Sequence, residues 1–211
     1  MTNTNRTISL IGSMTVTVTV FLFALCMITN FTFGSYFVCI FLALGYIITA
    51  AGFQHESDEN RRVSANIGFV LSAVYAVLIM VVYFTQLTSV RLEELSDQAS
   101  RALDYSRGGL LFNLDLLGYG IMALSTFFIG LSIKAESKSD KWLKCLMMVH
   151  GVFFVSCFIM PMTGMFTRMA GVNHGNGGTI ALLFWCVYFL PIGILSFIHF
   201  KKQSDCIRFG E

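Results

Sequence analysis

Six apolar stretches dominate the chain, at 8–29, 35–53, 66–86, 110–133, 145–166 and 179–200, each 19 to 24 residues long. A helix needs about 20 mainly apolar residues to cross a hydrocarbon layer of about 30 Å. Only helices and closed barrels satisfy every backbone N–H and C=O inside lipid, and runs of this length suit the helix. The expected fold is therefore all-α: a polytopic transmembrane bundle of six helices, forming one domain over 1–211. The stretch Thr15-Val16-Thr17-Val18-Thr19-Val20 alternates like a strand. Within so long an apolar run the helix prevails, with threonine hydroxyls bonding carbonyls one turn back.

The remaining chain is short. Its longest connection between spans, 87–109, has 23 residues, too few for an independent soluble core. Charged residues make up 12% of the sequence, against roughly a quarter in a soluble domain. That scarcity excludes a cytosolic enzyme, a nucleic-acid binder and a disordered tail protein. The first run exceeds the apolar core of a cleaved signal segment, about 7 to 15 residues. Leu25 is too bulky to precede a lipoprotein cleavage site at Cys26. A retained first span is expected.

Orientation follows the basic residues of short loops. An even number of spans puts both tails on one side. That side collects ten cations: Arg6, Arg61, Arg62, Lys134, Lys138, Lys141, Lys144, Lys201, Lys202 and Arg208. The other side has four: Arg91, Arg101, Arg107 and Arg168. The expectation is a multi-pass protein of the cell membrane with both termini cytoplasmic.

The segment 89–109 carries Leu92, Leu95, Ala99, Ala102 and Leu103 at helical spacing. Asp97 and Arg101 are four apart, and Asp104 and Arg107 three apart, as helical ion pairs require. With Ser89 as its cap and Gly108-Gly109 as its stop, this segment is expected to be a short amphipathic surface helix between spans three and four.

Within the spans, Asp115 is the only acidic residue. An Asp at the centre of a membrane helix costs about 2.5 to 3.5 kcal/mol on insertion scales. Five residues from the outer end the cost is smaller, and the carboxyl is expected to face the interior or a wet crevice. Gly118, Tyr119, Met122 and Thr126 share its face, whereas Asn113 points elsewhere. Tyr119 is the expected hydrogen-bond partner, and Arg168 and His174 are the expected cationic ones. Asp115, Tyr119, Arg168, His174 and Asn113 form the candidate polar site. His150, in span five, enters from the opposite side and is expected to be a satisfied packing residue. Pro161 and Pro191 interrupt backbone bonding within spans five and six and are candidate hinges.

The chain has no CxxC pair, and no two histidines lie four apart. Neither a metal site nor a haem is therefore expected, and no cofactor is called for. The six cysteines read as small buried hydrophobes. HExxH, GxSxG and P-loop signatures do not occur, so no catalytic set is recognisable.

The stretch Leu114-Asp115-Leu116-Leu117-Gly118-Tyr119, continuing through Ala123-Leu124-Ser125-Thr126-Phe127-Phe128, resembles a group of small multi-span bacterial membrane proteins. Gly177-Gly178-Thr179 with Phe184-Trp185-Cys186 is similar to the same group. The resemblance implies a six-helix integral protein of a bacterial cell membrane and carries no assigned activity. Two functions fit the sequence. One is transport or sensing of a small solute through an outward-facing polar cavity. The other is an accessory or assembly subunit without a site of its own. The partners implied are the lipid bilayer and a membrane protein or a second copy of the chain, with no nucleic acid.

Overall fold

The computed structural model describes residues 3–164 and 177–208, with side chains to position 202 in the last helix. The long helices are α1 (Asn3–Ile28), α2 (Thr32–Glu56), α3 (Arg62–Leu87), then, after two short ones, α6 (Leu110–Ser132). The short pair is α4 (Ser89–Leu92) and α5 (Asp97–Leu103), followed by a 3₁₀ turn at Tyr105–Arg107. The chain continues with α7 (Lys138–His150), α8 (Val152–Met162) and α9 (Gly177–Arg208). Six helical segments are long and apolar enough to cross a membrane, with α7 and α8 together making one. No strand occurs among the described residues.

Each long helix packs on its neighbours in sequence, and α9 returns to pack on α1. Small residues permit the closest approaches. A Cβ on Gly12 would stand 2.9 Å from the Thr49 nitrogen, and one on Gly45 would stand 2.8 Å from Thr15 Cγ2. The α1–α2 contact is therefore nearly backbone to backbone. On the other flank of α1, a Cβ on Gly193 would lie 2.7 Å from Thr17 Oγ1.

Polarity is distributed as lipid demands. Buried hydroxyls bond back within their own helices: Ser13 to Ser9 O at 3.0 Å, Thr17 to Ser13 O at 2.8 Å and Thr19 to Thr15 O at 2.7 Å. Large apolar side chains such as Phe21, Phe37, Val77, Phe158 and Val187 stand exposed. An aqueous monomer seldom exposes a continuous apolar surface of that kind. The most enclosed helix is α6, with 56% of its most apolar window buried, against 11% for Lys138–Met162.

Two local expectations are corrected. The segment 89–109 is broken rather than one helix, and Ser89 does not cap it. Glu93 is extended after a single turn. Ser96 then caps α5 by accepting from the Ala99 N–H at 3.2 Å. The Asp97–Arg101 pair forms at 2.8 Å. Arg107, however, reaches Asp97 at 3.9 Å instead of Asp104. Asp104 is occupied, its Oδ1 accepting from the Ser106 N–H at 2.9 Å and the Ser106 hydroxyl at 2.7 Å. Side chains that offer the backbone local partners compete with a continuous helix, and here they prevail.

Span five begins at Lys138 rather than 145, because Ser137 and Asp140 form a capping box there. Its interruption falls at Gly151, where i→i−3 bonds join Gly151 N–H to Met148 O at 3.2 Å and Phe154 N–H to Gly151 O at 3.1 Å. Pro161 lies in the last turn of α8, and α9 continues helical through Pro191.

Candidate functional site

Arg6 Nε donates to Phe200 O at 3.2 Å, so α1 begins where α9 nears its end. That end of the molecule is called terminal here and the opposite one distal. Polar groups gather at each.

At the distal end Asp115 sits in the second turn of α6 and is 1% exposed. Its Oδ2 accepts from the Tyr105 hydroxyl at 3.2 Å. Its Oδ1 is buried without a partner in hydrogen-bond geometry, and the Tyr83 phenol stands close enough to the carboxylate to stabilise its charge. Gln86 brings Tyr105 to this point, donating from Nε2 to Leu103 O at 2.7 Å and accepting from the Tyr105 N–H at 3.0 Å. The broken connector is thus pinned back onto α3, and its 3₁₀ turn lies over Asp115. Burial, with the Asp115 carboxylate adding to it, holds the Tyr105 phenol well above its ordinary pKa, so it remains a donor.

Tyr36, Tyr83 and Tyr105 form a ring triangle, with centroid separations of 5.4, 5.9 and 6.4 Å. All three line a distal cavity of about 200 Å³, together with Asn30, Thr32 and Ser35. Asp115 lies behind these phenols, one hydroxyl away from the cavity.

Tyr119 does not bond to Asp115, contrary to expectation. Its hydroxyl approaches Cys39 Sγ at 3.8 Å, and its ring meets Tyr75 and Trp185 at 5.8 and 5.1 Å. Deeper still, Tyr46 donates to Ser125 Oγ at 2.9 Å, and Ser125 donates to Gly68 O at 2.6 Å. Asn113 is exposed, away from the buried Asp115. Arg168 and His174 lie outside the described residues.

His150 is 1% exposed and held on both nitrogens. Trp185 Nε1 lies 3.1 Å from its Nε2, and an indole N–H can only donate. Nε2 is therefore the acceptor, and the ring proton sits on Nδ1. From there it is donated to Thr126 Oγ1 at 2.7 Å, whose own hydroxyl donates to Ala123 O at 2.7 Å. Helical spacing alone could not pair Thr126 with a histidine from another span. The pair is no nucleophile and base, because the nitrogen facing the hydroxyl already carries a hydrogen.

Compared with known protein families, characterised proteins and solved structures, the chain matches none.

At the terminal end His199 Nε2 contacts Glu56 Oε2 at 2.9 Å, and Nδ1 contacts Asp140 Oδ1 at 2.8 Å. The three residues come from α9, α2 and α7. Asp140 is placed by its capping role: its Oδ2 accepts from the Ser137 N–H at 3.1 Å, leaving Oδ1 to face the ring. Phe53 flanks the imidazole at 5.4 Å. A cavity of about 480 Å³ opens beside the cluster, lined also by Asp58, Arg61, Lys134, Glu136 and Lys202. Sequence reasoning missed this cluster because Glu56 and Asp140 fall in apparent loops. The one signal was Ser137-x-x-Asp140, which marks a helix start seven residues earlier than hydropathy does. Among the described residues no group of His, Cys, Asp and Glu is arranged to hold a metal ion.

The two ends differ in chemistry. The terminal cluster ties three helices together through His199, and there too one oxygen, Glu56 Oε1, is buried without a partner. The distal carboxylate differs in lying within an apolar run, its unpaired oxygen behind aromatic rings that line a cavity, which makes it the candidate functional site.

Proposed function

We propose that this protein is a six-helix transmembrane bundle of a bacterial cell membrane, with both termini in the cytoplasm. On this reading it admits a small solute from outside into the distal cavity above Asp115, for transport or sensing. Segment 89–109, with α5 at its middle, rests on the outer surface at the cavity mouth. The observation that carries the reading is Asp115 itself, 1% exposed with Oδ1 unpartnered behind a cavity. A buried carboxylate lacking a full set of partners is expensive in a membrane interior, and such groups generally mark a ligand or ion path. The excess of basic residues at the terminal end supports the orientation.

Native cysteines test both parts. Cys26 lines the distal cavity, and Cys145 is exposed near the start of the fifth span. In intact cells, a variant retaining only Cys26 should react with a membrane-impermeant maleimide. One retaining only Cys145 should react only after permeabilisation. An unreactive Cys26 in both conditions removes the accessible cavity, and a Cys145 labelled from outside reverses the orientation.

A second reading, an accessory subunit, has one observation in its favour. Helix α8 buries no residue, and Val152, Val155, Phe158, Ile159 and Met162 all stand exposed. Such a face suits another membrane protein or a second copy as well as lipid.

A further inference from the structure

We propose that the distal cavity binds a small organic ammonium ion, cradled by the rings of Tyr36, Tyr83 and Tyr105 with Asp115 as its counter-charge. This rests on the reading of that cavity as a solute site and names the class of solute.

The argument begins with what the lining offers. Three phenol rings from α2, α3 and the 3₁₀ turn meet within 5.4 to 6.4 Å of one another and share one cavity. Aromatic faces carry partial negative charge and attract cations that shed water readily. Phe23 and Leu182 add apolar surface, and no Lys, Arg or His occurs among the described lining residues. Small hydrated metal ions need a shell of several oxygens. Here aromatic and alkyl side chains make up much of the lining, with Asn30, Thr32, Ser35 and Thr179 as its polar side chains beside the three phenols. A weakly hydrated alkylammonium head matches that surface better.

A counter-charge for such an ion stands next to the cage. Asp115 Oδ2 accepts from Tyr105, whose ring belongs to the triangle, so the carboxylate also polarises the cage it stands behind. Oδ1 has no partner in hydrogen-bond geometry. Ionised beside a bound cation, a carboxylate so buried acts through little screening, favouring a cation in the cavity and opposing an anion. Size agrees as well. About 200 Å³ is below the roughly 300 to 1,000 Å³ of drug-sized sites, and it accommodates a head of trimethylammonium size.

The test uses the full chain in lipid nanodiscs and isothermal titration calorimetry with four probes. These are choline, its neutral isostere 3,3-dimethylbutanol, potassium and sodium. Choline should bind at least tenfold more tightly than the other three. Tyr36→Leu, at a half-buried position, should weaken choline roughly three- to thirtyfold, the range expected for one lost cation–π face. Asp115→Asn should abolish the preference for choline over dimethylbutanol, with a thermal melt confirming that the variant is folded. Equal binding of choline and dimethylbutanol overturns the ammonium assignment while leaving a neutral-solute site. Equal binding of potassium overturns it in favour of an inorganic cation. If no probe binds while Cys26 is labelled from outside, the ammonium assignment falls and the cavity stands. If Cys26 is unreactive, both fall together.

Discussion

Replacing His199 by Leu should be among the most damaging single changes at the terminal end, and its size can be worked from the geometry. The ring holds two carboxylates, Glu56 at 2.9 Å and Asp140 at 2.8 Å, with imidazole and Glu56 side chains 12% and 10% exposed. Hydrogen bonds to charged groups contribute about 1.5 to 3 kcal/mol each. Removing one partner of a buried ion pair costs about 3 to 5 kcal/mol, since it leaves unmatched charge behind. Asp140 keeps its Ser137 bonds, and Lys202 lies nearby with Nζ on Ser139 Oγ at 2.6 Å. The loss should therefore fall at the low end, about 3 kcal/mol. Unfolding followed by circular dichroism in a titration of mild detergent with dodecyl sulfate measures it. Adding Glu56→Gln to His199→Leu should restore part of the loss, because one stranded charge disappears. The bridge also has a pH signature. Two carboxylate acceptors need an N–H on both ring nitrogens, hence a protonated ring. The charged groups facing it are Glu56 from α2 and Asp140 from α7, with Asp58, Arg61, Lys134, Glu136 and Lys202 around the shared cavity. Its contribution is complete while the ring is protonated and is lost as pH rises through its titration. The parent should thus lose more stability toward alkaline pH than His199→Leu does. A variant within about 0.5 kcal/mol of the parent, or parallel pH curves for the two, would refute the reasoning.

Two further substitutions probe the interior. Gly45→Ala puts a methyl 2.8 Å from Thr15 Cγ2 and should destabilise the protein by about 1 to 3 kcal/mol as α1 and α2 are forced apart. A thermal melt indistinguishable from the parent would show that the two helices separate freely. Trp185→Phe keeps the aromatic packing but strips His150 Nε2 of its donor, leaving a buried acceptor unsatisfied. The expected loss is about 1 to 3 kcal/mol, and Trp185→Leu should cost more because it also removes the ring stacked on Phe189 at 4.9 Å. Equal effects from the two would mean that only packing matters there.

Hydropathy alone located the six segments long and apolar enough to cross a membrane, because span length is a property of consecutive residues. The same is true of Asp115 as the one acidic group inside an apolar run. What could not be read was which hydroxyl would meet it. Tyr119 was on the right face of the same helix, yet Tyr105 takes the bond, since Gln86 draws the connector over the site. Partner choice between residues ten apart depends here on where the connector breaks, and Ser96 and Asp104 decide it through local capping. His150 and Thr126 illustrate the same limit, for their contact spans two helices whose mutual rotation no periodicity encodes. The Glu56–His199–Asp140 cluster was hidden for a different reason. Hydropathy ends a span where charge begins, whereas a capped helix extends beyond it, and these charges sit on such extensions.

The return of α9 onto α1 has a consequence for how the molecule is made. Contacts among the first five spans join mainly neighbours in sequence, with the Tyr46–Ser125 bond linking spans two and four, so they can close as successive hairpins leave the ribosome. The seat on α1 for α9, where Gly193 lies against Thr17, has to wait for the whole chain. During synthesis the first span therefore stands with one flank unclaimed by its own protein, and the last span acts as the fastener. A nascent chain arrested before residue 177 should hold its first five spans yet expose that flank to insertion chaperones or quality-control proteases, and release from them should coincide with arrival of the final helix.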